Sequence, residues 1–112
     1  MVEIKSDLKD DIYMIKVIGE VDASSSIYLD QSINEATKKS KKIIVDLRKL
    51  EYISSAGLGV FMSYINDLKE KQIKMVLFGL SDKVRHVFQI LGLDQLLNIT
   101  DTEDEAKNLV NE

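Results

Sequence analysis

The sequence contains no cysteine, which excludes disulfides, thiolate metal sites and cysteine nucleophiles. Its single histidine, His86, excludes a multi-histidine zinc site. Proline is absent and glycine occurs only five times, so collagen-like and proline-rich linker readings fail. Uninterrupted apolar runs last a few residues, far short of the roughly 20 that a membrane-spanning helix needs. The opening stretch, Met1 to Asp11, is charged and lacks an apolar centre, unlike a signal peptide. No basic excess exists: 15 Lys and Arg stand against 19 Asp and Glu, a net charge of -4. That balance argues against nucleic acid as a partner. The densest basic run, Lys38, Lys39, Lys41 and Lys42, reads as a solvated helix end whose charge complements the helix dipole. Together these absences point to a cytoplasmic protein without a membrane or nucleic-acid partner.

What is present suits one globular domain spanning residues 1–112. Hydrophobic residues make up 45% of the chain and charged residues 30%, enough to bury a core without covalent staples. Ile12 to Ile18 is rich in β-branched and aromatic residues and predicts a strand, apolar on both faces and therefore internal. Val2 to Leu8 is a weaker partner strand, joined through the polar turn Lys9-Asp10-Asp11. Ser24-Ser25-Ser26 offers N-caps for a helix with Leu29, Ile33 and Ala36 on its inner face, fading near Ser40. Ile43-Ile44-Val45 predicts a short buried strand, with Asp46 to Ile53 leaving it as a loop that has room for a short extended piece. Leu58, Phe61, Met62, Ile65 and Leu68 form one apolar stripe along the clearest helix. Lys74 to Phe78 predicts another strand. A third helix, capped at Ser81 or Asp82, turns Val84, Val87, Phe88 and Leu91 inward and ends at Gly92. Leu96 to Ile99 suggests a last strand, and Thr100-Asp101-Thr102 caps a final helix with Ala106, Leu109 and Val110 inside. Such alternation implies an α/β fold: a mixed, mostly parallel sheet with about four packed helices and an antiparallel hairpin at one side.

The chemistry concentrates in Tyr52-Ile53-Ser54-Ser55-Ala56-Gly57-Leu58-Gly59, between a strand region and the best helix. As plain structure, Ser54 or Ser55 caps the helix and the glycines allow a tight turn. A helix start also favours negative charge, so a serine there can carry a phosphate without unfolding the domain. Catalytic motifs are missing: neither a G-x-S-x-G elbow nor a G-x-x-x-x-G-K-[ST] phosphate loop occurs. His86 lies among Val84, Val87 and Phe88, where it reads as a spectator rather than a general base. Asp22 and Asp46 both follow apolar strands and can flank the same sheet edge as Ser55, but two acids without a third ligand make a poor magnesium site. No metal or other cofactor is expected.

Taken in order, Gly19-Glu20-Val21-Asp22, the Ile43 to Leu47 strand, Tyr52 to Gly59 and the Ser81 to Leu93 region resemble the STAS family. The resemblance is to its stand-alone bacterial anti-sigma factor antagonists and covers nearly the whole chain. The serine segment resembles that family's D-S-[ST/A]-G-L-G phosphorylation loop, with Ser54 where the family has an acid. The resemblance implies that Ser55 is the phosphoacceptor of an anti-sigma factor serine kinase and that a serine phosphatase reverses the modification. It implies a partner surface built from Asp22, Ser24, Ser54, Ala56, Gly57 and Leu58. The unphosphorylated form would bind the kinase and free a sigma factor, regulating transcription, with the protein acting as a switch and not an enzyme. Two other roles fit the same residues: a structural subunit, never phosphorylated, in a stress-signalling assembly or lipid transporter, and an enzyme with Ser55 as nucleophile.

Overall fold

The computed structural model describes residues 1–112. Strands β1 (Val2–Lys9) and β2 (Ile12–Val21) form an antiparallel hairpin. Its two-residue turn, Asp10-Asp11, has positive φ at both positions, the mirror-image turn whose twist suits a hairpin and which Asp tolerates. Helix α1 (Ser26–Lys39) then leads to β3 (Lys42–Ile53), α2 (Ser55–Glu70) to β4 (Lys74–Phe78), and α3 (Asp82–Ile90) with a 3-10 turn (Leu93–Gln95) to β5 (Asn98–Thr100). Helix α4 (Glu103–Val110) ends the chain. The five strands lie in the order β1-β2-β3-β4-β5, parallel from β2 onward.

That order explains the layers. Three right-handed crossovers stepping the same way across a sheet must all put their helices on one face. Accordingly Leu29 and Ile33 of α1, Phe61 of α2 and Phe88 of α3 pack with Ile15, Val45 and Leu77 in one large core. Phe61 and Phe88 meet with ring centroids 6.0 Å apart. Alternate residues of the same strands, Ile44, Val76 and Phe78, face the other way and meet Ala106 and Val110 of α4. So three helices cover one side of the sheet, leaving β1 partly open, while α4 alone covers part of the other.

Several expectations change. Residues Asp46 to Ile53 are not a loop: β3 continues through them. Twice β3 carries one residue more than β2, between Asp46 and Lys49 and between Leu50 and Tyr52, as β-bulges do. Its inward residues Leu47, Leu50 and Ile53 therefore recur every third position. Strand β2 likewise runs past Ile18 to Val21, with Gly19 at φ +95° beneath the Met1 carbonyl. Met62 and Leu91 are half-exposed rather than in the core. The last strand starts at Asn98, and Leu96 is exposed in the preceding turn. Helix α4 has a full capping box: the Thr102 hydroxyl accepts from the Glu105 amide, and the Glu105 carboxylate accepts from the Thr102 amide.

Candidate functional site

Strands β2 and β3 leave the sheet side by side. Val21 is in register with Ile53, and the Ser54 amide donates to the Val21 carbonyl at 2.8 Å. Asp22 follows Val21 and Ser55 follows Ser54, each next along the chain from this bonded pair, so two sequence-distant loops form a common rim at the carboxyl end of the sheet.

On the β3 side Ser54 is the N-cap of α2: its backbone is extended and its hydroxyl accepts from the Gly57 amide at 3.3 Å. The Leu58 amide donates to the Ser54 carbonyl. Serine and aspartate cap helices about equally well, so Ser54 can do the structural work of an acid without its charge. Ser55 is the first helical residue, with Ala56 beside it, and both are exposed. Their amides belong to the first turn, where N–H groups lack intrahelical acceptors and the dipole favours an anion. Gly57 and Leu58 are buried. A Cβ on Gly57 would lie 2.7 Å from Ile53 Cγ1 and 2.9 Å from Val21 Cγ1, so glycine alone lets α2 descend onto the ends of β2 and β3. Gly59 has open space around it.

On the β2 side Asp22 organises its own loop. Its carboxylate accepts from the Ser24 hydroxyl at 2.8 Å, the Ser25 hydroxyl at 2.9 Å and the Ser25 amide at 2.9 Å. The Ser24 and Ser25 hydroxyls, followed by the Ser25 amide, hold the Asp22 carboxyl down to about 2. Ser25 precedes α1 but does not cap it with its side chain; its hydroxyl also accepts from the Asp22 amide. Helices α1 and α2, which carry the two loops, are tied by the Tyr64 hydroxyl donating to the Asp30 carboxylate at 2.9 Å. Burial, reinforced by that carboxylate, pushes the Tyr64 hydroxyl pKa well up, so it stays a donor.

Asp46 does not flank this rim. It pairs with Lys16 and Phe78 in mid-sheet and is buried. Burial pushes its carboxyl up, but Arg48 outweighs that and keeps it below the usual carboxylate range. The Arg48 fork donates from Nε to Oδ1 at 3.1 Å and from Nη2 to Oδ2 at 2.8 Å. The guanidinium lies 5.0 Å from the Phe78 ring centroid. No three acidic or histidine side chains converge as a metal site. His86 is exposed on α3.

Met62 was legible only as a core residue. It lies two turns along α2 from Ser55, on the same face as Ser55 and Gly59, and is 51% exposed. Tyr52 and Ile27, also exposed, sit on the segments entering and leaving the two loops. The rim is thus a small hydroxyl-bearing patch flanked by apolar side chains.

Over residues 3–106 the sequence matches the STAS domain. The chain belongs to the STAS domain family. Within the family it is 34% identical over 105 residues to the anti-sigma-B factor antagonist of Listeria monocytogenes, covering 93% of this chain and 91% of that protein. Its fold superposes with a TM-score of 0.91 on an anti-sigma factor antagonist from Mycobacterium paratuberculosis, at 21% identity over 100% of this chain and 96% of that one. The Bacillus cell fate determinant SpoIIAA in its phosphorylated form superposes with a TM-score of 0.71 at 23% identity, over 98% and 99% of the two chains. Each of these matches spans more than nine-tenths of both proteins. None of its helices is long and apolar enough to cross a membrane.

Proposed function

We propose that this STAS protein is an anti-sigma factor antagonist switched by phosphorylation of Ser55. The observation that carries the reading is the position of Ser55: exposed, first in α2, on a rim that Asp22 shares. The unmodified rim binds an anti-sigma factor that is also a serine kinase, and sigma factor is released. The kinase moves the γ-phosphoryl group of ATP to the Ser55 hydroxyl: the bond to ADP breaks, the serine ester forms, and the hydroxyl proton leaves to a base of the kinase. The product adds about -1.5 to -2 charge at the centre of the contact. The helix start accepts that charge without unfolding, so the modification alters binding far more than fold. A serine phosphatase resets the switch. The protein works in the cytoplasm, holds no cofactor, and is a substrate rather than an enzyme.

Titration of wild type, Ser55→Ala and Ser55→Asp against the cognate anti-sigma factor tests this. Ser55→Ala should bind like wild type and refuse phosphate from the kinase with ATP. Ser55→Asp should fold yet bind much more weakly. Equal binding by Ser55→Asp, or phosphate found on Ser54 alone, would remove Ser55 as the switch residue. Finding no phosphate in protein isolated from its own cells would favour the structural-subunit reading.

A further inference from the structure

Strand β1 forms one edge of the sheet and is eight residues long, whereas β5 at the other edge has three. In register with the hairpin, the Glu20 amide donates to the Met1 carbonyl at 3.2 Å. Antiparallel ladders alternate, so odd-numbered residues of β1 bond to β2, and Val2, Ile4, Ser6 and Leu8 turn their amides and carbonyls to the free edge. The side chains alternate too. Val2, Ile4 and Ser6 line an open groove of about 530 Å³ between β1 and α1, with Tyr13 and Tyr28 beside them. Glu3, Lys5, Asp7 and Lys9 occupy the opposite face.

Long edge strands are usually guarded by charge. Here the sign alternates along the guard: Glu3, Lys5, Asp7, Lys9. We propose that the β1 edge pairs antiparallel with the β1 edge of a second copy of this chain, about a two-fold axis through Ser6. In that register Glu3 of one copy faces Lys9 of the other, Ile4 faces Leu8, Lys5 faces Asp7, and Ser6 faces its own mate. Residues that bond outward are matched with each other, so the ladder closes. The charged pairs then fall at non-hydrogen-bonded positions, where Cα atoms come within about 4.5 Å and side chains lie nearest. The next allowed register on either side sets Lys5 against Lys5 or Asp7 against Asp7. The register centred on Ile4 avoids those clashes but keeps only the Glu3–Lys5 pairs and leaves Leu8 unmatched. Leu8 is 49% exposed in the isolated chain; in the dimer it packs beside Ile4 of the other copy at the floor of the groove. The axis reverses the strands of the second copy, so the two Ser55 rims point to opposite ends of the joined sheet. Both stay open, and the dimer is a two-headed binder.

Sedimentation velocity over a concentration series tests the pairing. Wild type should show a monomer–dimer equilibrium. Lys5→Asp sets carboxylates against each other, Asp7→Lys sets ammonium groups against each other, and each should weaken the dimer by roughly tenfold or more. Mixed in equal amounts, the two variants complement and should recover a heterodimer. Thermal melts check that both fold. Because the chain has no cysteine, Ser6→Cys gives a single thiol on the axis; copper-phenanthroline oxidation should link it into disulfide dimers, while Ser63→Cys on α2 should stay monomeric. A wild type that is monomeric throughout overturns the proposal. So do single charge reversals that dimerise like wild type, a mixture that fails to associate, or Ser6→Cys that cross-links no better than Ser63→Cys.

Discussion

Ser54 and Ser55 are neighbours with separate duties, and substitution separates them. Ser54 holds the helix: Ser54→Ala should cost about 1 kcal/mol of stability in urea unfolding, whereas Ser54→Asp should keep or slightly raise it, because a charge at the helix start is favourable. Ser55 makes no cap, so Ser55→Ala should unfold near the wild-type midpoint while losing phosphate uptake. Met62 extends the Ser55 face, half-exposed, and packs little of itself into the core. Met62→Glu should therefore leave the melting temperature nearly unchanged and weaken anti-sigma binding, as isothermal titration would read. Asp22 gives a pH signature. Its carboxyl titrates lower folded than unfolded, near 2 against 3.8, so its stabilisation is complete above the unfolded value and disappears as pH falls through the folded one. Asp22→Asn should flatten the acid limb of a plot of unfolding midpoint against pH.

At the scale of elements, α2 carries a direct contrast between two glycines. Alanine gains up to about 1 kcal/mol over glycine inside a helix. At Gly59, with open space around it, Gly59→Ala should show that gain. At Gly57 the added methyl meets Ile53 and Val21, both buried, and overpacking of about 1–3 kcal/mol outweighs the propensity. Gly57→Ala should thus destabilise while Gly59→Ala stabilises, a difference of sign that thermal unfolding resolves. The same elements mark what sequence could reveal. Helices α1 and α2, the strand cores and the hairpin were readable because their buried residues recur at 3.6 or 2 positions. The end of β3 was not, since two bulges stretch its inward spacing to three and surround Leu47, Leu50 and Ile53 with Arg48, Lys49, Glu51 and Tyr52. A charged stretch at that spacing imitates a loop. Met62 was misread because an apolar side chain reserved for a surface obeys the same periodicity as one reserved for the core. The adjacency of Asp22 and Ser55 was legible from parallel topology alone, but the Ser54–Val21 bond that creates it belongs to backbone atoms, which no residue pattern encodes.

For the whole molecule, the unequal cover of the two sheet faces predicts unequal stability. Three helices share the large core, while α4 rests on Ile44, Val76 and Phe78 through Ala106 and Val110. Hydrogen exchange should show α4 opening at lower free energy than β3 and β4, and Val110→Ala should speed exchange in α4 before it lowers global stability. The rim lies where β2 and β3 end on the buried residues Val21 and Ile53. There the Val21 carbonyl and the Ser54 amide bind the two loops through atoms that every amino acid possesses. The geometry of the proposed switch therefore depends on few of the exposed side chains around it. If the proposed function holds, Tyr52, Ile27 and Met62 could change without disturbing that bond, and lineages carrying several such proteins could diverge in whom they recognise at those positions. Each descendant would inherit a working serine and acquire a private partner, which would keep parallel signalling lines from crossing.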